Sequence, residues 1–195
     1  LRVDTHVAMS AQAGGAKVWQ GNAWDDWRND IGGLGRLGKS GPGWLRLSGH
    51  NSFAGATLDD GTLELQGIQR LSSDIQVKGG RLLINGTLLN TALNINGGMA
   101  HIAGQQLGAY TRVGPAGFLR GDGTLSHTQV LGTLAPGSAD KALNVNGDYE
   151  QGRESLFIFR PGLMPAKPAL EVTGSALLHG GTLHLIPQAE VMTLG

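Results

Sequence analysis

The segment from Gly33 to Ser40 has the spacing of a phosphate-binding loop. Four residues separate Gly33 from Gly38-Lys39-Ser40, the arrangement in which backbone amides and a lysine cradle nucleotide phosphates. Such a loop must lead into a helix whose N-terminus faces the phosphate. The next residues are Gly41-Pro42-Gly43, and proline and glycine both disfavour a helix at this point. We therefore predict that Lys39 does not bind a nucleotide.

The residue types that hold metal ions are present but scattered. There is no cysteine, which excludes disulfide frameworks and thiolate ligands. The histidines, none of them in the His-x-x-x-His spacing of a metal site, are His6, His50, His101, His127, His179 and His184. The only adjacent acidic pairs are Asp25-Asp26 and Asp59-Asp60, and we predict that both lie in turns. The expectation is a chain without a metal ion, cofactor or catalytic residue.

Three of the four tryptophans, Trp19, Trp24 and Trp27, lie in the irregular segment from Leu1 to Asp30. The favoured interpretation is a cap or a first irregular turn, because the end of a repeat protein must be covered. The alternative is an aromatic platform for a ligand.

The positions that organise the chain are those of a short repeat. Gly43-Trp-Leu-Arg-Leu-Ser-Gly49 is followed by Gly61-Thr-Leu-Glu-Leu-Gln-Gly67 and Gly80-Arg-Leu-Leu-Ile-Asn-Gly86, and a further start lies at Gly98. The starts are about 18 to 19 residues apart, a period typical of a solenoid. Apolar residues two apart would face inward from each strand; these pairs are Leu45 and Leu47, Leu63 and Leu65, Leu82 and Ile84, and Leu93 and Ile95. The pattern predicts an all-β solenoid whose coils take about 18–20 residues.

Polar-glycine corners recur between the strands, and we predict that they need a positive φ angle. They are Ser48-Gly49, Asn85-Gly86, Asn96-Gly97 and Asn146-Gly147. Antiparallel hairpins with Asn-Gly turns are the alternative, which the whole-coil period disfavours. Two segments depart from the period, Gln105–Gly121 and Pro161–Pro168, and are interpreted as insertions.

Composition excludes several classes of function. Lys and Arg together number 15, as do Asp and Glu, so that the formal net charge is zero, which gives no electrostatic case for binding nucleic acid. Glycine makes up 33 of the 195 residues, more than twice its usual share. With 40% hydrophobic residues, these glycines are better explained as turns between ordered strands than as disorder.

Several motifs together resemble the repeats of bacterial autotransporter passenger domains. The run from Asn29 to Gly55 has an Asn-Asp-Ile start, glycine-rich spacing and a closing Ser-Gly-x-Asn-x-Phe-x-Gly. Gly132-Thr-Leu-Ala-Pro-Gly137 matches a frequent turn of that family, and Leu143–Gln151 and Leu170–Leu185 resemble coils that follow it. The resemblance covers about residues 29–188 and is greatest to passengers that follow a subtilisin-like serine protease domain.

The resemblance implies a right-handed parallel β-helix on the bacterial cell surface, or secreted, exported through the outer-membrane barrel of its own parent chain. It implies a cap or linker over residues 1–30, β-helix repeats over 31–133, and C-terminal coils over 134–195 similar to an autochaperone region. Thr5-His6-Val7-Ala8 is similar to the segment around a subtilase histidine, but the Gly-His that should precede it is absent. Neither Ser40 nor Ser126 stands in a nucleophile motif, and a triad needs all three members.

The predicted function is therefore a structural stem that presents an upstream effector, such as a serine protease domain outside this chain. One alternative is an adhesin that binds a host surface ligand or matrix through a face of the solenoid. Another is an enzyme of the polysaccharide-lyase kind, which would need acidic and basic side chains clustered on one face.

Overall fold

The chain forms a parallel β-helix. The structure is a computed structural model that describes residues 5–8, 24–138, 140–160 and 168–186. In these residues the regular elements are all strands, and each pairs in parallel with strands one coil away. The predicted all-β solenoid is confirmed, and the antiparallel hairpin alternative is wrong. No helix among these residues could span a membrane.

Three parallel sheets form the faces of the coil. The A-sheet contains β1 (Thr5–Ala8), β3 (Arg36–Ser40), β5 (Gly55–Leu58), β8 (Ile75–Val77), β11 (Leu93–Ile95), β14 (Thr111–Val113), β17 (Thr128–Val130), β20 (Tyr149–Gln151) and β23 (Ala176–Leu178). The B-sheet contains β2 (Trp24–Trp27), β4 (Trp44–Leu47), β6 (Thr62–Leu65), β9 (Arg81–Ile84), β12 (Met99–Ile102), β15 (Phe118–Gly121), β18 (Thr133–Pro136), β21 (Leu156–Phe159) and β24 (Thr182–Leu185). The C-sheet contains β7 (Ile68–Gln69), β10 (Thr87–Leu89), β13 (Gln105–Leu107), β16 (Thr124–Leu125), β19 (Leu143–Val145) and β22 (Leu170–Val172).

Coil length is regular in the first half and varies in the second. In the B-sheet, successive partners from Trp44 to Phe118 are 18 or 19 residues apart. The predicted insertion over Gln105–Gly121 is therefore wrong, because Met99 pairs directly with Phe118 across a coil of ordinary length. The distance then falls to 15 residues at Thr133 and rises to 26 between Leu156 and Thr182. The predicted excursion at Pro161–Pro168 lies almost entirely outside the described residues.

The inward side chains stack in columns, as the alternating pattern predicted. Leu45, Leu63 and Leu82 are register partners in the B-sheet, and each has no exposed surface. Leu93 and Ile95 are equally buried in the A-sheet. Burying each such side chain stabilises the coil by about 1.5–3 kcal/mol before chain entropy is subtracted. The core therefore runs as a continuous apolar column along the axis.

Glycine is required at most of the polar-glycine corners because there is no room for a Cβ atom, and not because the backbone is left-handed. Of the four corner glycines, only Gly147 has a positive φ, at 140°, so the prediction for Gly49, Gly86 and Gly97 is wrong. A Cβ atom on Gly86 would overlap the carbonyl oxygens of Gln66 and Gly67 in the preceding coil. The equivalent glycines that would clash with the glycine one coil earlier are Gly67, Gly104 and Gly123. The corners thus pack backbone directly on backbone.

A partly buried ion pair between Arg36 and Asp74 connects three coils. The Arg36 guanidinium donates to Asp74 Oδ1 at 2.9 Å, to Thr57 Oγ1 at 3.0 Å and to the Ala56 carbonyl at 2.8 Å. Burial raises the pKa of Asp74, but hydrogen bonds from Gln76 and Arg36 outweigh it, and the net pKa lies below its ordinary value. The carboxylate is therefore ionised and paired at neutral pH.

Tyr149 gives the fold a pH dependence in alkaline solution. Its side chain is 2% exposed, its hydroxyl donates to Gln151 Oε1 at 3.0 Å, and burial raises its pKa. Above the ordinary pKa of 10.0 the unfolded chain loses this proton and the folded chain keeps it, so that stability falls as pH rises. The slope should be about 1.4 kcal/mol per pH unit at most.

Urea unfolding at pH 8 and pH 11 tests this dependence. Tyr149→Phe should show a smaller loss of stability between the two pH values than the wild-type chain. Tyr110→Phe removes a phenol that is 54% exposed and should keep the wild-type loss. Equal losses in all three proteins would contradict the assignment to Tyr149.

Candidate functional site

Lys39 is a structural anchor within the corner that follows β3. Its side chain is fully buried, and Nζ donates to the carbonyl oxygens of Ser40 at 3.0 Å, Gly41 at 2.7 Å and Asp60 at 3.1 Å. Burial lowers the pKa of the Lys39 ammonium group. The chain turns after Ser40 and enters β4, so this segment lacks the helix that a phosphate loop requires.

β2 carries Trp24 and Asp26 on its outer face, whereas Trp27 packs partly against the apolar core. Asp25 and Asp26 belong to β2, so the prediction that they lie in a turn is wrong; Asp59 and Asp60 do follow β5 in a bend. Trp27 Nε1 donates to Asp25 at 2.7 Å. A hydrogen bond from the Ser48 hydroxyl lowers the pKa of Asp26. These carboxylates are occupied by neighbouring donors.

The adjoining surface is also internally paired. The Arg46 guanidinium lies 5.3 Å from the centre of the Trp24 ring, a cation–π distance. Glu64 is only 2% exposed although it projects from the outer face. It accepts hydrogen bonds from Trp44 at 3.0 Å, Arg46 at 3.1 Å and Asn85 at 2.9 Å. Trp19 lies outside the described residues. The described tryptophans of the predicted aromatic platform therefore contact charged side chains of the protein itself.

A different arrangement occupies the outer face of the A-sheet. Register pairing places five planar polar side chains in one row, one in each successive coil: Gln76, Asn94, Arg112, Gln129 and Glu150. Neighbouring strands are about 4.8 Å apart, so the row extends for about 19 Å. The four members from Asn94 to Glu150 line a groove of about 510 Å³, together with Tyr110, His127 and Asp148.

This groove brings together histidines and carboxylates that are distant in sequence. His127 Nδ1 accepts a hydrogen bond from the Asp148 amide at 3.0 Å and lies 3.5 Å from Asp148 Oδ2. Beyond the groove lining, His179 Nε2 lies 3.2 Å from Glu150 Oε1. Sequence reasoning found few acidic neighbours for His179 and missed both pairs, because coils of unequal length conceal the register. In the described part of the chain, no three His, Asp or Glu side chains could hold a metal ion together.

His50 and His101 lie apart from this group. His50 is exposed, and its amide donates to Asp30 Oδ1 at 2.7 Å. His101 is on the outer face of the B-sheet, where burial lowers its pKa. Ser126 is 7% exposed, and its hydroxyl accepts the Gly108 amide at 2.9 Å. The Ser126 hydroxyl is therefore bound to a backbone amide and is largely buried.

Comparison with known proteins identifies a relative for part of the chain. The sequence is 36% identical over 108 residues to the Neisserial autotransporter lipoprotein NalP in two strains of Neisseria meningitidis serogroup B. The match covers 55% of this chain and 10% of the relative, so the chain spans about a tenth of the curated relatives it matches. No family model matches the chain, and no solved structure matches it.

The sequence similarity and the fold agree. A parallel β-helix with a short glycine-marked coil is what the passenger repeats predicted, and the matched relative is an autotransporter. The matched autotransporter is exported through the outer membrane and lies at the cell surface or is secreted, which agrees with the location that the repeats predicted. Both findings fit a β-helical segment of an autotransporter passenger.

Proposed function

We propose that this β-helix is a stem that holds an upstream effector away from the cell surface, and that the effector is a subtilisin-like serine protease domain of the parent polypeptide. The partners of the stem in that polypeptide would be the effector and the outer-membrane barrel through which the passenger is exported. The proposal assigns the chemistry to the effector and a mechanical role to the coils.

The observation that carries the stem proposal is the unbroken stacking of the coils. Each B-sheet strand from β4 to β24 pairs with the strand of the preceding coil, and the buried apolar cluster extends from Leu37 to Tyr149. A coil of a solenoid is stable on a formed neighbour, so that such a structure is stiff along its axis. Side chains with catalytic potential, such as Lys39 and Ser126, instead bind backbone groups.

A fluorophosphonate probe of serine hydrolases tests the division of roles. The full-length parent polypeptide should become labelled, and a polypeptide of residues 1–195 should not. If neither polypeptide is labelled, the proposal of a protease effector is wrong, whereas the stem proposal still stands. Labelling of residues 1–195 would overturn the stem proposal, because the coils would then carry a reactive serine themselves.

The resemblance also supports different roles for the two ends of the stem. We propose that residues 1–30 cap the coils or link them to the effector, and that residues 134–195 form the autochaperone portion on which earlier coils fold. At the N-terminal end, β1 pairs with β3 and β2 with β4. Pulse-labelling hydrogen exchange during refolding would show protection in β19 and β20 before β4 and β6; the reverse order would contradict the proposal.

An adhesive face is the second candidate function. The polar groove on the A-sheet favours it, because the groove lies on an outer face and presents hydrogen-bonding groups from several coils. An adhesive face is compatible with a stem, since the stem uses the inward side chains and the groove uses outward ones.

A further inference from the structure

We propose that the groove on the A-sheet binds an oligosaccharide that carries a single carboxylated sugar. The inference specifies the ligand of the second candidate function and does not rest on the protease effector. It is argued from the row of planar side chains, from the charges along that row and from the aromatic ring at its edge.

The first argument is the chemistry of the row. Amides, a guanidinium and a carboxylate are planar groups that can each make two hydrogen bonds side by side. Sugars present adjacent hydroxyl groups that such planar groups bind in pairs. Asn94 and Gln129 each use an amide nitrogen within the face, towards Asp74 at 2.9 Å and Glu150 at 3.0 Å. These bonds orient both side chains and leave their carbonyl oxygens as acceptors for hydroxyl groups.

The second argument is an arginine without a partner. Arg112 is exposed at the middle of the row, and within the described residues its guanidinium makes no hydrogen bond or ion pair. By contrast, Arg36 and Arg46 are paired with carboxylates at 2.9 Å and 3.1 Å. A free guanidinium among planar acceptors is suited to binding a carboxylate with two parallel hydrogen bonds.

The third argument limits the number of acidic groups on the ligand. Asp148 and Glu150 lie at one end of the groove, and Arg112 supplies the unpaired positive charge near its middle. A polyanion such as a sulfated glycan would be repelled at the acidic end. An oligosaccharide with one carboxylate at Arg112 and neutral sugars towards Asp148 would pair with the guanidinium and avoid repulsion at the acidic end.

The fourth argument is an aromatic ring beside the free guanidinium. Tyr110 lies two residues before Arg112 and is 54% exposed, and it lines the same groove. An exposed tyrosine offers an apolar ring with a polar tip, which suits the apolar face of a sugar. A peptide ligand is disfavoured, because the strands under the groove are paired on both sides and offer no free edge for an added strand.

Binding of 3′-sialyllactose and of lactose to the passenger polypeptide, measured by ligand-observed NMR, tests the proposal. The two probes differ by one carboxylated sugar. We expect sialyllactose to bind about tenfold more tightly than lactose, because it adds a charge-assisted bidentate contact. Arg112→Gln should remove this difference. Tyr110→Ala should weaken both probes.

Arg120→Gln is the matched control, because Arg120 is an exposed arginine on the outer face of the B-sheet. It should keep the wild-type affinities, and circular dichroism should show that all variants remain folded. No binding of either probe, or equal binding by wild-type and Arg112→Gln, would overturn the proposal. Tighter binding of heparin than of sialyllactose would overturn the limit of one carboxylate. Fluorophosphonate labelling of the parent is unaffected by Arg112→Gln, so failure here is separable from failure of the protease proposal.

Discussion

Replacing Gly86 with alanine is expected to lower the free energy of unfolding by about 3 kcal/mol. The added Cβ would overlap the carbonyl oxygens of Gln66 and Gly67. Neither oxygen belongs to a side chain that could rotate away, so the two coils must separate. That separation would weaken the hydrogen bond from the Thr87 amide to the Gly67 carbonyl, which is 3.0 Å long. Urea unfolding followed by far-ultraviolet circular dichroism measures the effect.

Gly114→Ala is the matched control for this substitution. The nearest atoms to a Cβ on Gly114 would be 3.4 Å away, an ordinary contact distance, and its φ angle is not positive. At such a position alanine stabilises a protein by about 0.4–1 kcal/mol through the unfolded chain. Hydrogen exchange should also accelerate at Thr87 in Gly86→Ala and not in Gly114→Ala. Similar stability of the two variants would show that the corners are not close-packed.

Replacing Lys39 with methionine is expected to lower the free energy of unfolding by about 3 kcal/mol, although the two side chains have similar length and shape. The substitution removes the donor shared by the carbonyl oxygens of Ser40, Gly41 and Asp60. Because Lys39 is fully buried, water cannot replace that donor without opening the corner. The loss should appear as a lower urea midpoint with an unchanged slope.

Lys78→Met provides the control. Lys78 is also a lysine at a corner of the coil, but its side chain is 56% exposed and its Nζ lies 4.0 Å from Asp59. Exposed ion pairs of this kind contribute little, so the stability should change by less than about 0.5 kcal/mol. If the two methionine variants were equally stable, the Lys39 ammonium group would not be the anchor of the corner.

The substitutions of Gly86 and Lys39 should also weaken the stem that presents the effector. A solenoid loses stability where one coil no longer supports the next, and Gly86 and Lys39 both act between coils. In the parent polypeptide, each variant should therefore expose the stem to added protease more readily than its control does. Equal protease resistance of variant and control would show that the coils fold independently of these contacts.

The amino-acid sequence by itself determined the fold class and the inward face. Leucine and isoleucine two residues apart can be buried together only on one side of a strand, and their recurrence after a constant interval requires stacking of the coils. The spacing alone therefore predicts one column for Leu45, Leu63 and Leu82, which are register partners in the B-sheet. The repeat also determined that Gly86 is needed, but not why, since positive φ and lack of space both select glycine.

Only the tertiary structure decided which outward side chains meet. Outward residues follow no apolar pattern, and their neighbours depend on how many residues each coil takes. Arg112 lies beside Gln129 after 17 residues, whereas Gln129 lies beside Glu150 after 21. A shift of one residue in register moves a side chain to the opposite face of the strand. The polar groove, the anchoring role of Lys39 and the pairing of Glu64 follow from that register, which the hydrogen bonds between coils set.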